Sequence, residues 1–268
     1  MTKNLGFIGF GKMASAICKG VINSGFIKPC NIYAYDVNFE HLKEAAEELK
    51  INAVVDVKTL AKNVSNILVA TKPFVVDDVL SNLKDVADDK LIISILAGIT
   101  IQKYEDNLPN SRIIRVMPNT PAMVNEGMSV VCRGNKSTDD DLQFVLDLFS
   151  KLGLAISLDE TQINAVTAVS GSGPAFYYYI IDKIARAGEV LGLNYDVALK
   201  LSAQTALGAA KMIMETNKTP EDLITAVTTP NGTTAEGNKV LIESDIEKVL
   251  FETVEKTCIR AVELGKGK

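Results

Sequence analysis

Basic charge, histidine, paired cysteines and long apolar runs are all scarce in this sequence of 268 residues. Lysine and arginine number 28 against 33 aspartates and glutamates, a formal net charge of -5, and no basic block interrupts the chain. Electrostatic attraction to nucleic acid or anionic lipid is therefore not favoured, and a small-molecule partner is expected. The four cysteines, Cys18, Cys30, Cys132 and Cys258, form no Cys-x-x-Cys pair, and the single histidine is His41. That pattern argues against a zinc site and against a disulfide framework. The longest strongly apolar run, Leu91 to Ala97, is far short of the roughly 20 residues a membrane-spanning helix needs. The first apolar run begins at Leu5 and leaves no room for a secretory leader ahead of it. The expectation is a soluble, reduced, cytoplasmic protein. No internal repeat, low-complexity tract or long linker stands out, and Gly265 to Lys268 reads as a frayed end.

What is present is ordinary globular composition, 47% hydrophobic and 23% charged, in a chain longer than one core usually serves. Two domains follow. From Leu5 to about Leu158, short β-rich runs alternate with helical stretches. The predicted strands are Leu5 to Ile8, Ile32 to Tyr35, Ile67 to Ala70, Leu91 to Ile95, Arg112 to Val116 and Met128 to Cys132. The predicted helices between them are Met13 to Ser24, Phe39 to Leu49, Pro73 to Leu83 and Asp139 to Leu152. Such alternation builds a mainly parallel, doubly wound sheet with helices on its faces, an α/β domain over residues 1–159. After Thr161 the β signal stops. Helices are predicted at Gln162 to Val169, Pro174 to Leu191, Tyr195 to Glu215, Thr219 to Ala226, Thr234 to Glu243 and Ile246 to Glu263, an all-α domain over 160–268. Several of these are apolar on most faces, so that domain needs a partner chain to cover them.

Gly9-Phe10-Gly11-Lys12-Met13-Ala14 follows the first strand at once and opens a helix. In a dinucleotide turn the first glycine permits the tight bend and the second lets backbone approach a pyrophosphate. The third, small residue lets helix and strand pack closely. The alternative is a glycine-rich turn with no ligand. Asp36 ends the second strand about 20 residues on, where an acid binds the adenine ribose; its alternative role is a solvated turn carboxylate. No arginine follows it in Val37-Asn38-Phe39, so charge favours NADH over NADPH. Loops after later strands supply the other contacts, and Thr71-Lys72-Pro73 and Ala97-Gly98-Ile99 occupy those places.

Two further turns combine hydroxyls with glycine. Val169 to Pro174 opens a long helix, and reads either as a site or as a helix start that lets backbone pack closely. Thr228 to Ala235 carries four threonines round an Asn-Gly pair before another helix, so its amides, those of Gly232 and Thr233, could hold a carboxylate and its hydroxyls a polar heteroatom. The alternative there is a capping loop. His41 reads as a surface residue, and a reductase needing an imidazole acid would be hard to place on this sequence.

These segments resemble pyrroline-5-carboxylate reductases over nearly the whole chain. The matching stretches are "GFIGFGKMASAI" from Gly6, "ATKP" from Ala70, "ISILAGIT" from Ile93 and "RVMPNTPAMVNEG" from Arg115. They continue with "AVSGSGPAF" from Ala168, "GLNYDVALKLSAQTALGAAKM" from Gly192 and "VTTPNGTTAEG" from Val227. The resemblance implies a Rossmann domain carrying NAD(P)H and a helical domain that interlaces with a second subunit to complete the pyrroline site. It implies cofactor contacts at Gly9, Gly11, Lys12, Met13, Lys72, Pro73, Ala97 and Gly98. It places substrate against Glu160, Val227, Thr228, Thr229, Gly232, Thr233 and Thr234, with the Thr234 hydroxyl nearest the imine nitrogen as the catalytic group. The implied activity is reduction of 1-pyrroline-5-carboxylate to proline, the last step of proline biosynthesis, by a homodimer or a higher assembly such as a decamer. Lys12 stands where the family commonly has asparagine, Thr71 where it has valine, Thr229 where it has serine and Asn231 where it has glycine. Competing readings are a β-hydroxy-acid reductase using Lys183 or Lys211, and a nucleotide-binding regulatory module without turnover.

Overall fold

The computed structural model describes residues 4–265. The first part of the chain forms β1 (Leu5–Ile8), α1 (Lys12–Asn23), β2 (Ile32–Tyr35), α2 (Phe39–Leu49), β3 (Asn52–Ala53), α3 (Val57–Asn63) and β4 (Asn66–Val69). It continues with α4 (Val76–Leu83), β5 (Leu91–Ser94), α5 (Ile101–Asn107), β6 (Arg112–Pro118), β7 (Gly127–Arg133), α6 (Asp139–Phe149) and β8 (Gly153–Ser157). The remainder is helical: α7 (Ile163–Val166), α8 (Gly173–Val190), α9 (Tyr195–Glu215), α10 (Pro220–Val227), α11 (Thr233–Glu243) and α12 (Ile246–Gly265). The frayed end expected at Gly265 to Lys268 reaches residues 266–268, which lie outside the described residues.

The strands form one sheet in the order β3-β2-β1-β4-β5-β6-β7-β8, parallel throughout except where β7 meets β6. Strand order reverses between β1 and β4, and their carboxyl ends open a crevice, the place where doubly wound sheets bind ligands. Continuous apolar strands are what a sheet covered on both faces requires. Leu5, Phe7, Leu91, Ile93, Ile114 and Val116 face one core, under α1, α2 and α6. Their neighbours Ile8, Ile67, Val69, Ile92 and Ile113 face the other, which α3, α4 and α5 cover.

By packing, the chain divides into a first unit that runs to Ser172 and resumes at Thr257, and a second unit, Gly173–Lys256. The boundary expected near Asp159 precedes the packing boundary, because the following segment stays with the sheet. Ile163 enters the second sheet core, and Asn119 donates from Nδ2 to the Ser170 carbonyl at 3.2 Å.

In the second unit α8 and α9 lie side by side, with the Ser202 hydroxyl donating to the Ile181 carbonyl at 3.0 Å. Asn194 caps α9, and a Thr219–Asp222 capping box opens α10. Tyr177, Tyr178, Tyr179, Ile184 and Leu191 of the α8 region are exposed, as is Phe251 of α12. So much exposed apolar surface marks an interaction face and matches the expectation that these helices need a partner chain.

Four elements were not anticipated from the sequence. β3 is two residues long, and α3 and α5 are seven each, too short to show a helical period. β8 is a half-exposed edge strand beside β7. Two predicted helices also begin or end in tighter turns: Pro73–Val75 is 3-10 ahead of α4, and Ser150–Leu152 is 3-10 after α6. Before α8, Thr167–Gly171 forms a π-helical turn closed by the Ser172 amide on the Thr167 carbonyl at 2.8 Å.

Candidate active site

The glycine turn folds as its spacing predicts. Gly9 has φ 87°, and a Cβ there would meet the Ala70 carbonyl carbon and the Thr71 amide and Cγ2 at 2.9 Å each. Both left-handed backbone and close approach exclude a side chain. Gly11, by contrast, would carry a Cβ that meets nothing within 4 Å, so its Cα borders open space. It is the N-cap of α1 and offers no side chain to the first turn, whose free amides can take an anion. Ala14 is buried against the sheet, the packing role expected of the third position.

Asp36 braces this turn. Its Oδ2 accepts from the Phe10 amide at 2.7 Å and its Oδ1 from the Asn38 amide at 2.8 Å. A carboxylate has about four lone-pair sites, so the diol of a ribose could still be accommodated.

A cleft of about 1130 Å³ spans the carboxyl ends of β1, β2, β4, β5 and β6. Of the expected cofactor residues Gly9, Gly11, Lys12, Met13, Asp36, Lys72, Pro73 and Ala97 all line it. Gly98 does not: its φ is 77°, and a Cβ there would lie 3.4 Å from the Leu264 carbonyl group at the end of α12. The cleft fits a dinucleotide on its own terms. It offers an unoccluded glycine at a helix N-terminus, two lysines, and a buried Thr71 hydroxyl that has no hydrogen-bond partner. Met117, Pro118 and Thr120 also line it, and the sequence reading gave that segment no role. The signal was the polar Asn-Thr break directly after an apolar strand. Asn119 itself holds the floor together, accepting from the Met128 amide at 2.9 Å while donating to Ser170.

The threonine turn lies in the second unit. The Gly232 amide donates to the Thr229 carbonyl at 2.9 Å, and Asn231 has φ 59°. Proline at the second position excludes positive φ there, so Thr229 to Gly232 is a type II turn. Asn231 in place of glycine is thus a mild departure, since asparagine tolerates the left-handed region. A Cβ on Gly232 would meet the Thr229 Oγ1 at 2.2 Å, so any larger residue there would force the Thr229 side chain to move. The Thr228 hydroxyl donates to the Ile224 carbonyl at 2.6 Å and accepts from Asn238 Nδ2 at 3.0 Å.

One expectation needs correcting: the Gly232 amide closes the turn and is not free to hold a carboxylate. Gly232 is the N-cap of α11 and has no side-chain cap, so the open donors are the amides of Thr233, Thr234 and Ala235. Thr234 sits at the second helical position, and its hydroxyl makes no hydrogen bond among the described residues. The helix-cap alternative for Thr234 therefore fails, because Gly232 occupies that position.

Glu160 belongs to the first unit and stands apart from the threonine turn in sequence and in unit. Its Oε1 accepts from Arg115 Nη1 at 2.7 Å and from the Ile101 amide at 2.9 Å, where α5 begins. Glu160 thereby anchors the loop after β5. Lys183, offered for a different reductase, is paired with Asp182 at 3.2 Å and lies 4.9 Å from the Tyr179 ring centroid. Burial pushes the thiol of Cys132 up to about 11 and that of Cys18 up to about 12, so neither supplies a thiolate nucleophile at neutral pH. His41 is exposed on α2, donating its backbone amide to Asn38 Oδ1.

Comparisons with known proteins agree with this geometry. The family model for pyrroline-5-carboxylate reductase dimerisation matches residues 160–264, and a model described as NADP oxidoreductase, coenzyme F420-dependent, matches residues 4–98. A pyrroline-5-carboxylate reductase from Methanosarcina acetivorans is 41% identical over 98% of both chains. One from Escherichia coli is 36% identical over the full length of both. Among solved structures, a pyrroline-5-carboxylate reductase from Coxiella burnetii has a TM-score of 0.94 and 33% identity, covering 98% of this chain and 99% of that one. A Plasmodium falciparum pyrroline carboxylate reductase with NADP bound has a TM-score of 0.87 and 30% identity over 98% of each chain.

Proposed function

The chain belongs to the pyrroline-5-carboxylate reductase family, and from that premise we propose how its own residues perform the reduction of 1-pyrroline-5-carboxylate to proline. It is an oxidoreductase that uses a nicotinamide cofactor and assembles as a homo-oligomer. The observation that carries the site assignment is the cleft where strand order reverses, with left-handed Gly9 and unoccluded Gly11 at its centre.

In this reading Gly9, Gly11, Lys12 and Met13 cradle the pyrophosphate on the first turn of α1, and Lys12 and Lys72 add positive charge. Asp36 takes the adenine ribose, which favours NADH, and Pro73 and Ala97 shape the cleft walls. Gly98 supports that wall from behind. The bound cofactor supplies a hydride to C5 of the pyrroline ring. The substrate carboxylate rests on the amides of Thr233 and Thr234 at the start of α11, flanked by Val227, Thr228 and Thr229. The Thr234 hydroxyl orients the ring nitrogen and relays a proton to it. The imine nitrogen gains one proton, drawn from solvent through that hydroxyl, C5 gains the hydride, the C=N double bond becomes single, and the neutral secondary amine that results takes a further proton from water. Glu160 acts on substrate indirectly, by fixing the loop after β5.

Residues 1–159 carry the cofactor contacts and 160–268 the substrate and dimerisation surfaces of a cytoplasmic enzyme, a dimer or a decamer built from dimers, with 160–172 and 257–265 packing against the cofactor half. Exposed apolar faces on α8 and α12 support the dimer. The decisive experiment is oxidation of NADH followed by absorbance. Turnover should begin on adding pyrroline-5-carboxylate and yield an equal amount of proline. Binding of NADH with no oxidation would refute the assignment.

A further inference from the structure

Three buried side-chain atoms among the described residues lack a hydrogen-bond partner: Asn4 Oδ1, Arg115 Nε and Thr71 Oγ1. Only Thr71 lines the cleft. Resting on the reading of that cleft as the dinucleotide site, we propose that Thr71 is a cofactor-binding residue. Its hydroxyl hydrogen-bonds an oxygen of the cofactor's pyrophosphate, and binding gives a partner to a group that has none among the described residues.

Packing accounts for the methyl group of Thr71 and not for its hydroxyl. Cγ2 lies against Gly9, 2.9 Å from where a Cβ would stand. Valine would keep that contact, fill the same volume and suit a strand end equally well. A hydroxyl buried without a partner costs stability that valine would not. The backbone here is fixed, because the Ala70 amide donates to the Ile8 carbonyl at 2.8 Å and holds the end of β4 against β1. What remains free is χ1, whose staggered wells let the hydroxyl turn toward the cleft while the backbone stays in place. The neighbour is the first glycine of the turn that leads into α1, the segment assigned to the pyrophosphate. A phosphate oxygen accepts from a hydroxyl, and burial strengthens such a bond.

The test compares Thr71→Val with wild type in the full-length protein, using NADH and ADP-ribose as ligands, which share the pyrophosphate. Thr71→Val should melt at or above wild type without ligand, yet bind both ligands about tenfold more weakly, equivalent to about 1.4 kcal/mol. Thr71→Ser keeps the hydroxyl and should bind within about threefold of wild type. Should Thr71→Val fold poorly, Thr71→Ala and Thr71→Ser repeat the comparison, and weak binding by the alanine variant alone supports the proposal. Equal binding by Thr71→Val and wild type would overturn it while leaving the cofactor site intact. Failure of wild type to bind either ligand would overturn the site assignment and this proposal together.

Discussion

Replacing Thr234 with alanine removes a hydroxyl and a methyl group from the start of α11, and no hydrogen bond among the described residues. Gly232 is the N-cap, the Gly232 amide closes the turn on Thr229, and the Thr234 side chain makes no hydrogen bond among the described residues. Loss of a cap would cost about 1 kcal/mol, but Thr234 is not the cap. Alanine instead favours a helical position by up to about 0.7 kcal/mol, so the melting temperature should hold or rise slightly. Activity should move the other way. Losing one positioned donor or proton relay lowers kcat/KM by about ten- to a thousandfold, equivalent to about 1.4–4 kcal/mol of transition-state stabilisation. The affinity for NADH should stay near wild type, and Thr234→Ser should retain most activity. Steady-state kinetics beside melting curves on the two variants separate binding, chemistry and folding. A folded Thr234→Ala enzyme with wild-type kcat/KM would remove this hydroxyl from the mechanism.

Asp36→Ser should shift preference toward NADPH by tenfold or more in the ratio of kcat/KM values, and a wild-type preference for NADPH of tenfold would refute the charge argument. Light scattering at micromolar concentration should give a dimer or a multiple of one; a fully active monomer would contradict the reading of the exposed helical faces. Asp141 governs an acid limb of stability. Burial pushes its carboxyl up, but bonds from the Thr138 amide and hydroxyl and from Arg112 outweigh that and hold it below the usual aspartate value. A carboxyl depressed in the folded state stabilises above its unfolded pKa, about 4, and the contribution is lost as pH falls through the lower folded value. Asp141→Asn should therefore destabilise the protein by about 1–2 kcal/mol near pH 7, and the difference from wild type should shrink on acid titration of the denaturation midpoint.

The strand–turn–helix plan was legible because both signals are local. Apolar runs of four to seven residues mark buried strands, and Gly9 and Gly11 mark the turn between β1 and α1. The residues that line the cleft were legible for the same reason, since strand ends are where its walls fall. Gly98 lies beside Leu264 at the end of α12, a neighbour that a glycine after a strand does not announce in sequence. The Gly232 amide was misassigned because its bond to Thr229 depends on turn type, which the Pro-Asn pair implies only once positive φ at Asn231 is known. Glu160 was named by the family resemblance alone, and its pairing with Arg115 and Ile101 joins residues far apart in sequence. No local pattern carries that information.

The last helix, α12, starts in the second packing unit and finishes in the first, where Leu264 backs Gly98. The nucleotide-binding module is thus discontinuous in sequence, which bears on fragment work. A gene fragment stopped after Ser172 would lack the nine residues from Thr257 to Gly265 that complete the module, leaving the rear of the β5 loop bare. A minimal version would have to graft that closing segment back through a designed linker, or supply it as a separate peptide.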